Sequence, residues 1–310
     1  MGDFAYEPLL SGHPTDHENI RQTFLSYNFD MPLWISSMTG GTQKAHQINH
    51  NLARACGKFK LGMGLGSCRP LLENSDRFDD FNVKHLMGDA PLFTNFGIAQ
   101  LEQLIEAGAL GKVEEVTKRL EADGVIIHVN PLQEWAQVEG DRYKVAPLDT
   151  IRTLCDQTEY PIIVKEVGQG MGPQSLKALL ELPIKAIELA GYGGTNFSIL
   201  EQRRKVGEEF HETPATSFGY IGHTAEQMIE YLNTLQKNQK TDVEIIISGG
   251  IKDPVTGHIL KERLEMNAVI GMASSVLKHA MGEYEDLQKY LHETKECFAM
   301  AKAFIKKSTA

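Results

Sequence analysis

The stretch PIIVKEVGQGMGPQSLKALLELPIKAIEL, residues 161–189, carries a strand, a helix and a second strand in one short run. Pro161–Val167 and Ala186–Leu189 are apolar runs of strand length, whereas Ser175–Glu181 between them has the period of a helix. A parallel connection between two strands has to cross over the sheet, and a helix usually makes that crossing. The stretch therefore predicts two parallel strands joined by a helix.

The same alternation continues on both sides of this stretch. The other predicted strands are Pro32–Ser36, Lys60–Leu65, Pro91–Asn95, Gly124–Val129, Glu244–Ser248 and Ala268–Gly271. The other predicted helices are Ala45–Phe59, Ala99–Ala107, Lys112–Ala122, Leu148–Thr158, Thr224–Lys237, Gly257–Met266 and Ser274–Ala280. Eight strand–helix units in roughly 250 residues predict an α/β fold of the (β/α)8 TIM barrel type. A doubly wound open sheet is the structural alternative.

No internal repeat, low-complexity tract or Pro/Ser-rich linker divides the 310 residues. We therefore expect a single barrel domain over residues 1–310. Pro8, Gly12 and Pro14 predict an irregular lead-in over residues 1–30, and residues 283–307 predict a C-terminal helical extension.

Composition and charge narrow the class of protein. Hydrophobic residues make up 42% and charged residues 23% of the chain, which excludes a disordered or collagen-like protein. The net charge of −10 argues against nucleic acid as the main partner. The apolar runs are far below the ~20 residues of a membrane-spanning helix, and no secretory signal is recognisable. Four cysteines without a CxxC pair complete the expectation of a soluble, cytoplasmic protein with no membrane partner.

Glycine-rich turns follow five of the eight predicted strands. Those after the last three strands are Gly191–Asn196, Ser248–Gly250 and Gly271–Ser274. In a barrel the strand ends form the site, and the turns after the last two strands often bind a phosphate through backbone N–H groups. One glycine pair alone usually only permits a tight turn, but the recurrence predicts a phosphorylated cofactor.

Polar residues at the fourth and fifth strand ends are candidates for the chemistry. His128 and Asn130 lie two positions apart, so both side chains point inward, and His128 is either a proton-transfer or orienting group or a hydrogen-bonded core histidine. Lys165 lies in an apolar strand and needs a partner, either a cofactor ring or a carboxylate such as Glu188. Glu134 is either a solvated loop charge or a ligand of Mg²⁺ that bridges to a diphosphate.

Six stretches at these strand ends together resemble the type 2, flavin-dependent isopentenyl diphosphate isomerase family. They are ISSMTGG (35–41), GMGLGSCR (62–69), HVNPLQEWAQVEGDR (128–142), PIIVKEVGQGMG (161–172), GYGGTNF (191–197) and SGGI (248–251). They run in family order, and the combination of HVNxLQE with EGDR is the specific part of the resemblance.

The resemblance implies roles for individual residues. FMN contacts are implied at Ser37, Met38, Thr39, Ser67, Asn95, Lys165 and Thr195, with the FMN phosphate near Gly249, Gly250, Ala273 and Ser274. Substrate contacts are implied at Ser67, Arg69, His128, Asn130 and Gln133, with Mg²⁺ at Glu134. His128, Gln133 and Glu201 are the implied catalytic residues, although from position alone Glu201 is a solvated helix residue.

The implied reaction is the 1,3-allylic proton shift that converts isopentenyl diphosphate, a small-molecule substrate, to dimethylallyl diphosphate in isoprenoid biosynthesis. It involves no net redox change, so FMN would act in its reduced form, and NADPH or another reductant would serve only to reduce it. The resemblance also implies a homo-oligomer, either a tetramer or an octamer.

The chain departs from the family pattern in three respects. The family's Arg-Lys-x-x-His segment has no match here. Cys68 stands where the family usually has Gln, and Glu188 stands where it usually has Asp. The approach to the eighth strand, IKDPVTGHILKERLEMNA (251–268), is longer and more polar than the common pattern. Two alternatives remain. An FMN-dependent 2-hydroxy-acid oxidase needs a histidine base and an arginine near an HGGR-like turn, where this chain has Tyr192 and Thr195. The other is a non-catalytic flavin- or phosphate-binding barrel.

Overall fold

The computed structural model describes residues 3–15, 18–38, 44–206, 213–238 and 240–308. Its strands are, in chain order, β1 Phe4–Tyr6, β2 Gln22–Phe24, β3 Tyr27–Phe29, β4 Leu33–Ile35, β5 Gly62–Gly64, β6 Leu92–Gly97, β7 Gly124–His128, β8 Ile162–Lys165, β9 Ala186–Glu188, β10 Glu244–Ile247, β11 Ala268–Met272 and β12 Ile305–Lys307.

Strands β4 to β11 form a closed barrel in which all neighbouring strands are parallel. The strand order around the barrel follows the chain, and β11 closes it by pairing with β4 through Ile270 and Leu33. Each of the eight predicted strands is present, with its ends within two residues of the prediction. The predicted (β/α)8 barrel is confirmed, and the doubly wound open sheet is wrong because this sheet has no free edge.

The α-helices are α1 Ala45–Phe59, α2 Arg69–Glu73, α3 Phe78–Phe81, α4 Ile98–Glu106, α5 Gly111–Arg119, α6 Pro131–Ala136, α7 Pro147–Gln157, α8 Pro173–Leu180, α9 Phe197–Val206, α10 Ala225–Asn238, α11 Pro254–Arg263, α12 Ser274–Ala280 and α13 Tyr284–Phe304. Short 3₁₀ helices cover Glu18–Ile20, Lys84–Leu86 and Pro214–Tyr220. Sequence analysis misses α2, α3 and α6 because four to six residues are too few to show a helical period. Within the described ranges, no helix combines the length and the apolar character needed to cross a membrane.

The N-terminal lead-in contains more regular structure than the sequence predicts. Strand β1 pairs antiparallel with β12, so Phe4 lies opposite Lys307 and the first and last described strands meet. The C-terminal segment accordingly ends in a strand after its one long helix. Strands β2 and β3 form a hairpin whose turn residues, Leu25 and Ser26, both have positive φ angles, as a type I′ turn requires. Local patterns missed these strands because their partners are distant or their turn lacks glycine.

The β2–β3 hairpin closes the N-terminal end of the barrel. Gln22 Nε2 donates a hydrogen bond to the main-chain oxygen of Ala268 at the start of β11, 2.8 Å away. Phe24 and Phe29 are fully buried beside Trp34, and the rings of Phe29 and Trp34 stack with centroids 6.5 Å apart. The aromatic rings fill the lower half of the barrel, so the open end is the one at which the strands finish.

We expect the substitution Phe24→Ala to lower the free energy of unfolding by about 3–5 kcal/mol, because it leaves a cavity among buried rings. Urea unfolding followed by circular dichroism measures this change. The control is Leu9→Ala, whose side chain is 92% exposed and should change stability by less than about 0.5 kcal/mol. Equal small effects of the two substitutions would contradict the role of the hairpin.

Candidate active site

Alternation along the barrel strands stacks two layers of inward-facing side chains. The lower layer is apolar and consists of Trp34, Gly62, Phe93, Ile126, Ile163, Ala186, Ile246 and Val269. Residues two positions further along each strand face the same way. They form an upper layer of Ser36, Gly64, Asn95, His128, Lys165, Glu188, Ser248 and Gly271. A polar and small-residue layer therefore lies on an apolar floor at the C-terminal end of the barrel.

A cavity of about 510 Å³ opens above one side of the upper layer. Eight of the predicted cofactor residues line it, namely Ser37, Met38, Lys165, Thr195, Gly249, Gly250, Ala273 and Ser274. Ser67 and Asn95 are not lining residues, and Thr39 lies outside the described residues. The cavity therefore gathers the ends of strands β4 and β8 to β11.

Glycine turns after β9 and β10 form one wall of the cavity. Gly193, Gly249 and Gly250 have φ angles of 122°, 97° and 75°, a region that L side chains rarely adopt. A Cβ atom on Gly249 would collide with the main chain of Gly191, so the two turns touch through their backbones. Backbone turns of this kind present N–H groups to a phosphate. Lys252, which the sequence analysis missed, lines the same cavity and adds a positive charge.

Three buried polar atoms on cavity residues have no hydrogen-bond partner within the described protein. They are Ser36 Oγ, Ser37 Oγ and Glu188 Oε2. Buried polar atoms in folded proteins are nearly always paired. Three unpaired ones in a single cavity indicate a ligand that offers hydrogen bonds there.

Lys165 lies on the cavity floor and is only 7% exposed. Its ammonium donates a hydrogen bond to the main-chain oxygen of Glu166 at 2.7 Å. Glu188 is its register partner on β9, yet Glu188 Oε2 accepts nothing from it. The protein therefore gives Lys165 a main-chain acceptor. A cofactor ring, the partner that the sequence analysis suggested, could accept a further hydrogen bond from the same ammonium.

Glu166 holds the loop that follows Lys165. Its Oε2 atom accepts hydrogen bonds from the main-chain N–H groups of residues 167–170 at 2.6–3.1 Å. Burial raises the pKa of Glu166, although these N–H donors act in the opposite direction. Gln169 in this loop accepts from Ser198 on α9 and donates to the main chain of Phe218. The loop therefore connects the cavity floor to the α9 side of the rim.

His128 is neutral and has one defined hydrogen bond. Asn95 donates through Nδ2 to the main-chain oxygen of Leu65, so its Oδ1 atom accepts from His128 Nδ1 at 2.8 Å. This leaves Nε2 of the neutral ring as an acceptor. Burial, followed by the positive charge of Lys165, lowers the pKa of His128 to about 3.

Asn130 organises the start of α6. Its side-chain Nδ2 donates to Gln133 Oε1 and to Glu134 Oε1, each at 3.1 Å, and its Oδ1 accepts from Tyr143. Glu134 is 7% exposed. Burial, aided by the charge of Glu134, raises the pKa of Tyr143, which remains a neutral donor. The predicted substrate residues Asn130 and Gln133 and the predicted metal ligand Glu134 are therefore in direct contact.

Glu201 on α9 faces the same group and is 6% exposed. Its Oε1 atom accepts from Gln137 at 3.1 Å and from Gln133 at 3.5 Å, and its Oε2 atom accepts from Arg204 at 2.6 Å. The structure therefore rejects the interpretation of Glu201 as a solvated helix residue and brings it to Gln133.

Arg69 at the start of α2 completes this group. Its guanidinium, half exposed, lies 3.5 Å from Asp141, whose N–H group donates to Glu134 Oε2 at 2.8 Å. Ser67 Oγ accepts weakly from the Arg69 N–H group at 3.4 Å. Cys68 between them is fully buried, and burial raises the pKa of its thiol to about 12, so it offers no polar group to the rim.

Most of the predicted site residues thus form two groups on one rim: the cavity residues, and a network that runs from Arg69 to Glu201. Asn95 and His128 bond to each other and belong to neither group. Sequence analysis missed Gln137, Asp141 and Tyr143, although the first two lie inside the quoted stretch 128–142. Within the described ranges, no three His, Cys, Asp or Glu side chains are grouped to hold a metal ion. A Mg²⁺ ion at Glu134 would take its other ligands from phosphate oxygens and water.

Comparison with known proteins identifies relatives over most of the chain. The isopentenyl-diphosphate delta-isomerase of Rickettsia canadensis is 36% identical over 264 residues, which cover 85% of this chain and 74% of that protein. The enzyme of the same name from Rickettsia peacockii is 33% identical over 285 residues, or 90% and 80% of the two chains. The chain belongs to the isopentenyl-diphosphate delta-isomerase family. This confirms the recognition made from the strand-end motifs and places the chain among enzymes. No protein-family model matches the chain.

Solved structures resemble this isomerase-family chain in fold. The flavin-binding domain of baker's yeast flavocytochrome b2 has a TM-score of 0.65 at 12% identity, covering 98% of this chain and 72% of that one. A putative lactate oxidase of Pediococcus acidilactici has a TM-score of 0.62 at 12% identity, covering 97% and 78%. At such identities the likeness concerns the barrel alone.

We expect His128 to make stability fall as the pH drops. The unfolded chain takes up a proton at this ring below about pH 6.5, whereas the folded chain keeps it neutral to about pH 3. Folding therefore loses about 1.4 kcal/mol for each pH unit below 6 through this group. Urea unfolding at pH 6 and pH 5 measures the loss, and His128→Asn should show a correspondingly smaller one. Identical losses in both chains would disprove the depressed pKa.

Proposed function

We propose that this chain interconverts isopentenyl diphosphate and dimethylallyl diphosphate by a reduced-flavin-assisted 1,3-allylic proton shift. The observation that carries the proposal is the division of one rim into two groups. A glycine-walled cavity with unpaired polar atoms suits a phosphorylated cofactor, and the adjacent amide–carboxylate–arginine network suits a diphosphate with its cation. The curated relatives, named for this isomerase, support the same reaction.

The cavity residues fit FMN. Gly249, Gly250, Ser274 and Lys252 would hold its phosphate, while unpaired polar atoms and Lys165 offer partners to its hydroxyl groups and ring. When bound in reduced form, FMN would supply proton-transfer chemistry for the isomerisation. The protein's contribution is to hold the reacting groups within ~3–3.5 Å in a site shielded from water.

The second group would bind the substrate diphosphate. Arg69 and Gln133 would offer a guanidinium and an amide, and Glu134 would reach the diphosphate through Mg²⁺. Asn130 would act by holding Gln133 and Glu134 in place, because it donates to both. Asn130 and the Asp141 N–H group each bond one Glu134 oxygen, which holds the carboxylate still and leaves it further lone pairs. Neutral His128 would accept a proton as the anionic substrate approaches, because nearby negative charge raises a histidine pKa.

Glu201 would hold a proton during the reaction. Arg204 occupies its Oε2 atom, and Oε1 lies beside the amides of Gln133 and Gln137. An amide is not a base near neutral pH, so Oε1 of Glu201 is the proton-carrying atom of this cluster. Gln133 then orients the carboxylate toward the substrate.

The reaction would also need a reductant, a cellular compartment and an assembly state. NADPH, or another reductant, would reduce the flavin before turnover. We further propose that the chain works in the cytoplasm as a homo-oligomer, a tetramer or an octamer, without nucleic acid.

The proposal is tested by incubating the purified chain with FMN, NADPH, Mg²⁺ and isopentenyl diphosphate. We expect a flavin spectrum on the protein and dimethylallyl diphosphate among the products, with no conversion when the reductant is omitted under anaerobic conditions. Oxidation of 2-hydroxy acids in place of isomerisation would support the oxidase alternative. A flavin-loaded protein that converts neither substrate would support the non-catalytic barrel.

Two substitutions separate the cofactor group from the diphosphate group. Glu134→Gln should raise the Mg²⁺ concentration needed for half-maximal rate about tenfold or more with bound FMN unchanged, because it removes the proposed ligand charge. Lys165→Ala should instead lower the FMN bound per chain, since it removes a cavity cation. Glu106→Gln, on an exposed helix end, is the control and should change neither quantity. A parallel loss of both quantities in either site variant would show that this assignment of roles is wrong.

A further inference from the structure

Glu188 is the most deeply buried ionisable group on the cavity wall. It ends strand β9, only 1% of its surface is exposed, and its Oε2 atom has no hydrogen-bond partner among the residues that the structure describes. The lower-layer side chains Ile163, Ala186 and Ile246 lie beneath it, so no polar group reaches it from below. Glu188 also lines the cavity, so a ligand bound there is the candidate for the missing donor.

The polar side chains around Glu188 do not donate to its Oε2 atom, because they bond other groups or have no partner themselves. Lys165, the register partner of Glu188, donates to the Glu166 main chain, and Ser248 Oγ accepts from the Ala190 N–H group. Burying a carboxylate oxygen without a donor is costly, so a ligand that brings an N–H or O–H group to this point gains strongly. The hydroxyls of Ser36 and Ser37 can donate as well as accept, so they can pair with a donor or with an acceptor of the ligand and do not distinguish the two.

We infer that Glu188 makes the cavity select a phosphorylated ligand that carries hydrogen-bond donors and reject the donor-free diphosphate of the substrate. The inference rests on the proposed function, which requires one rim to bind two phosphorylated molecules without exchanging them. FMN carries a ring N–H group and ribityl hydroxyls, whereas isopentenyl diphosphate carries anionic oxygens and a hydrocarbon chain. The glycine turns and Lys252 attract both phosphates, so they cannot discriminate between them.

The selectivity of the cavity for FMN over a diphosphate then depends on the charge and the unpaired Oε2 atom of Glu188. A diphosphate entering the cavity would meet the carboxylate with only acceptor atoms, and like charges in a buried site repel strongly. A hydroxyl or N–H group would satisfy the unpaired oxygen. Glu188 is therefore a specificity-determining residue for the cofactor cavity, in contrast to the Glu134 carboxylate, which would meet the diphosphate through a cation.

The test uses the full-length chain with flavin removed, in wild-type, Glu188→Gln and Glu188→Asp forms. FMN affinity is measured by quenching of flavin fluorescence, and inorganic diphosphate without Mg²⁺ is the competitor. We expect Glu188→Gln to weaken FMN binding about 10- to 100-fold, the effect of losing a charged acceptor. Diphosphate should displace FMN from this variant at about tenfold lower concentration. Glu188→Asp keeps the charge and should retain the resistance to diphosphate.

A stability measurement separates ligand selection from a structural role. Without ligand, Glu188→Gln should melt at the same temperature as wild type or a few degrees higher, because the amide removes an unpaired buried charge. The matched control is Glu244→Gln at the opposite end of the barrel. Glu244 accepts hydrogen bonds from the Leu25 N–H group and from Asn267, so this variant should melt lower with FMN affinity unchanged.

The outcomes are distinguishable. If wild type binds no FMN, the cofactor of the proposed function is wrong. If wild type binds FMN and Glu188→Gln binds it within twofold, or remains as resistant to diphosphate, the inference about Glu188 alone is overturned. If Glu188→Gln does not fold, Glu188→Ala takes its place in the same titrations, with the same expected and contrary results.

Discussion

The strict alternation of side chains along eight parallel strands is the constraint on which the rest of this structure depends. It directs an apolar set of residues into a lower layer and, two positions later, a ring of polar and small residues into an upper layer. The hairpin rings Phe24 and Phe29 fill the lower end against Trp34. Polar chemistry is thereby confined to the end at which the strands finish.

The upper layer supports two dissimilar environments side by side. Over β8 to β11 and β4, small residues and glycine turns leave a cavity with unpaired polar atoms. Over β6 and β7, by contrast, Asn95 accepts a hydrogen bond from His128, and Asn130 joins Gln133 to Glu134. The polar atoms of the first environment lack partners that a ligand could supply, whereas the side chains of the second are already hydrogen-bonded to one another. This difference suits a resident cofactor beside an exchanging substrate.

Much of the candidate site could be predicted because its residues are tied to strand ends. Once PIIVKEV and its seven counterparts are recognised as strands, Lys165 and His128 have to meet at one rim. Gln137, Asp141 and Tyr143 could not be ranked in this way, since they reach the site from a helix end and a loop. Glu201 was named from family resemblance, but only its contact with Gln133 distinguishes it from a solvated helix residue.

The amino-acid sequence by itself determined the number of barrel strands, their parallel pairing and the end of the barrel that carries the chemistry, because hydrophobic period and turn residues are local properties. Tertiary structure alone decided three things: that β11 pairs with β4, that β1 reaches β12, and that Glu188 Oε2 has no partner among the described residues. Each depends on groups far apart in the chain arriving, or failing to arrive, within hydrogen-bond distance. Such encounters are set by the packing of the whole barrel, and no local pattern records them.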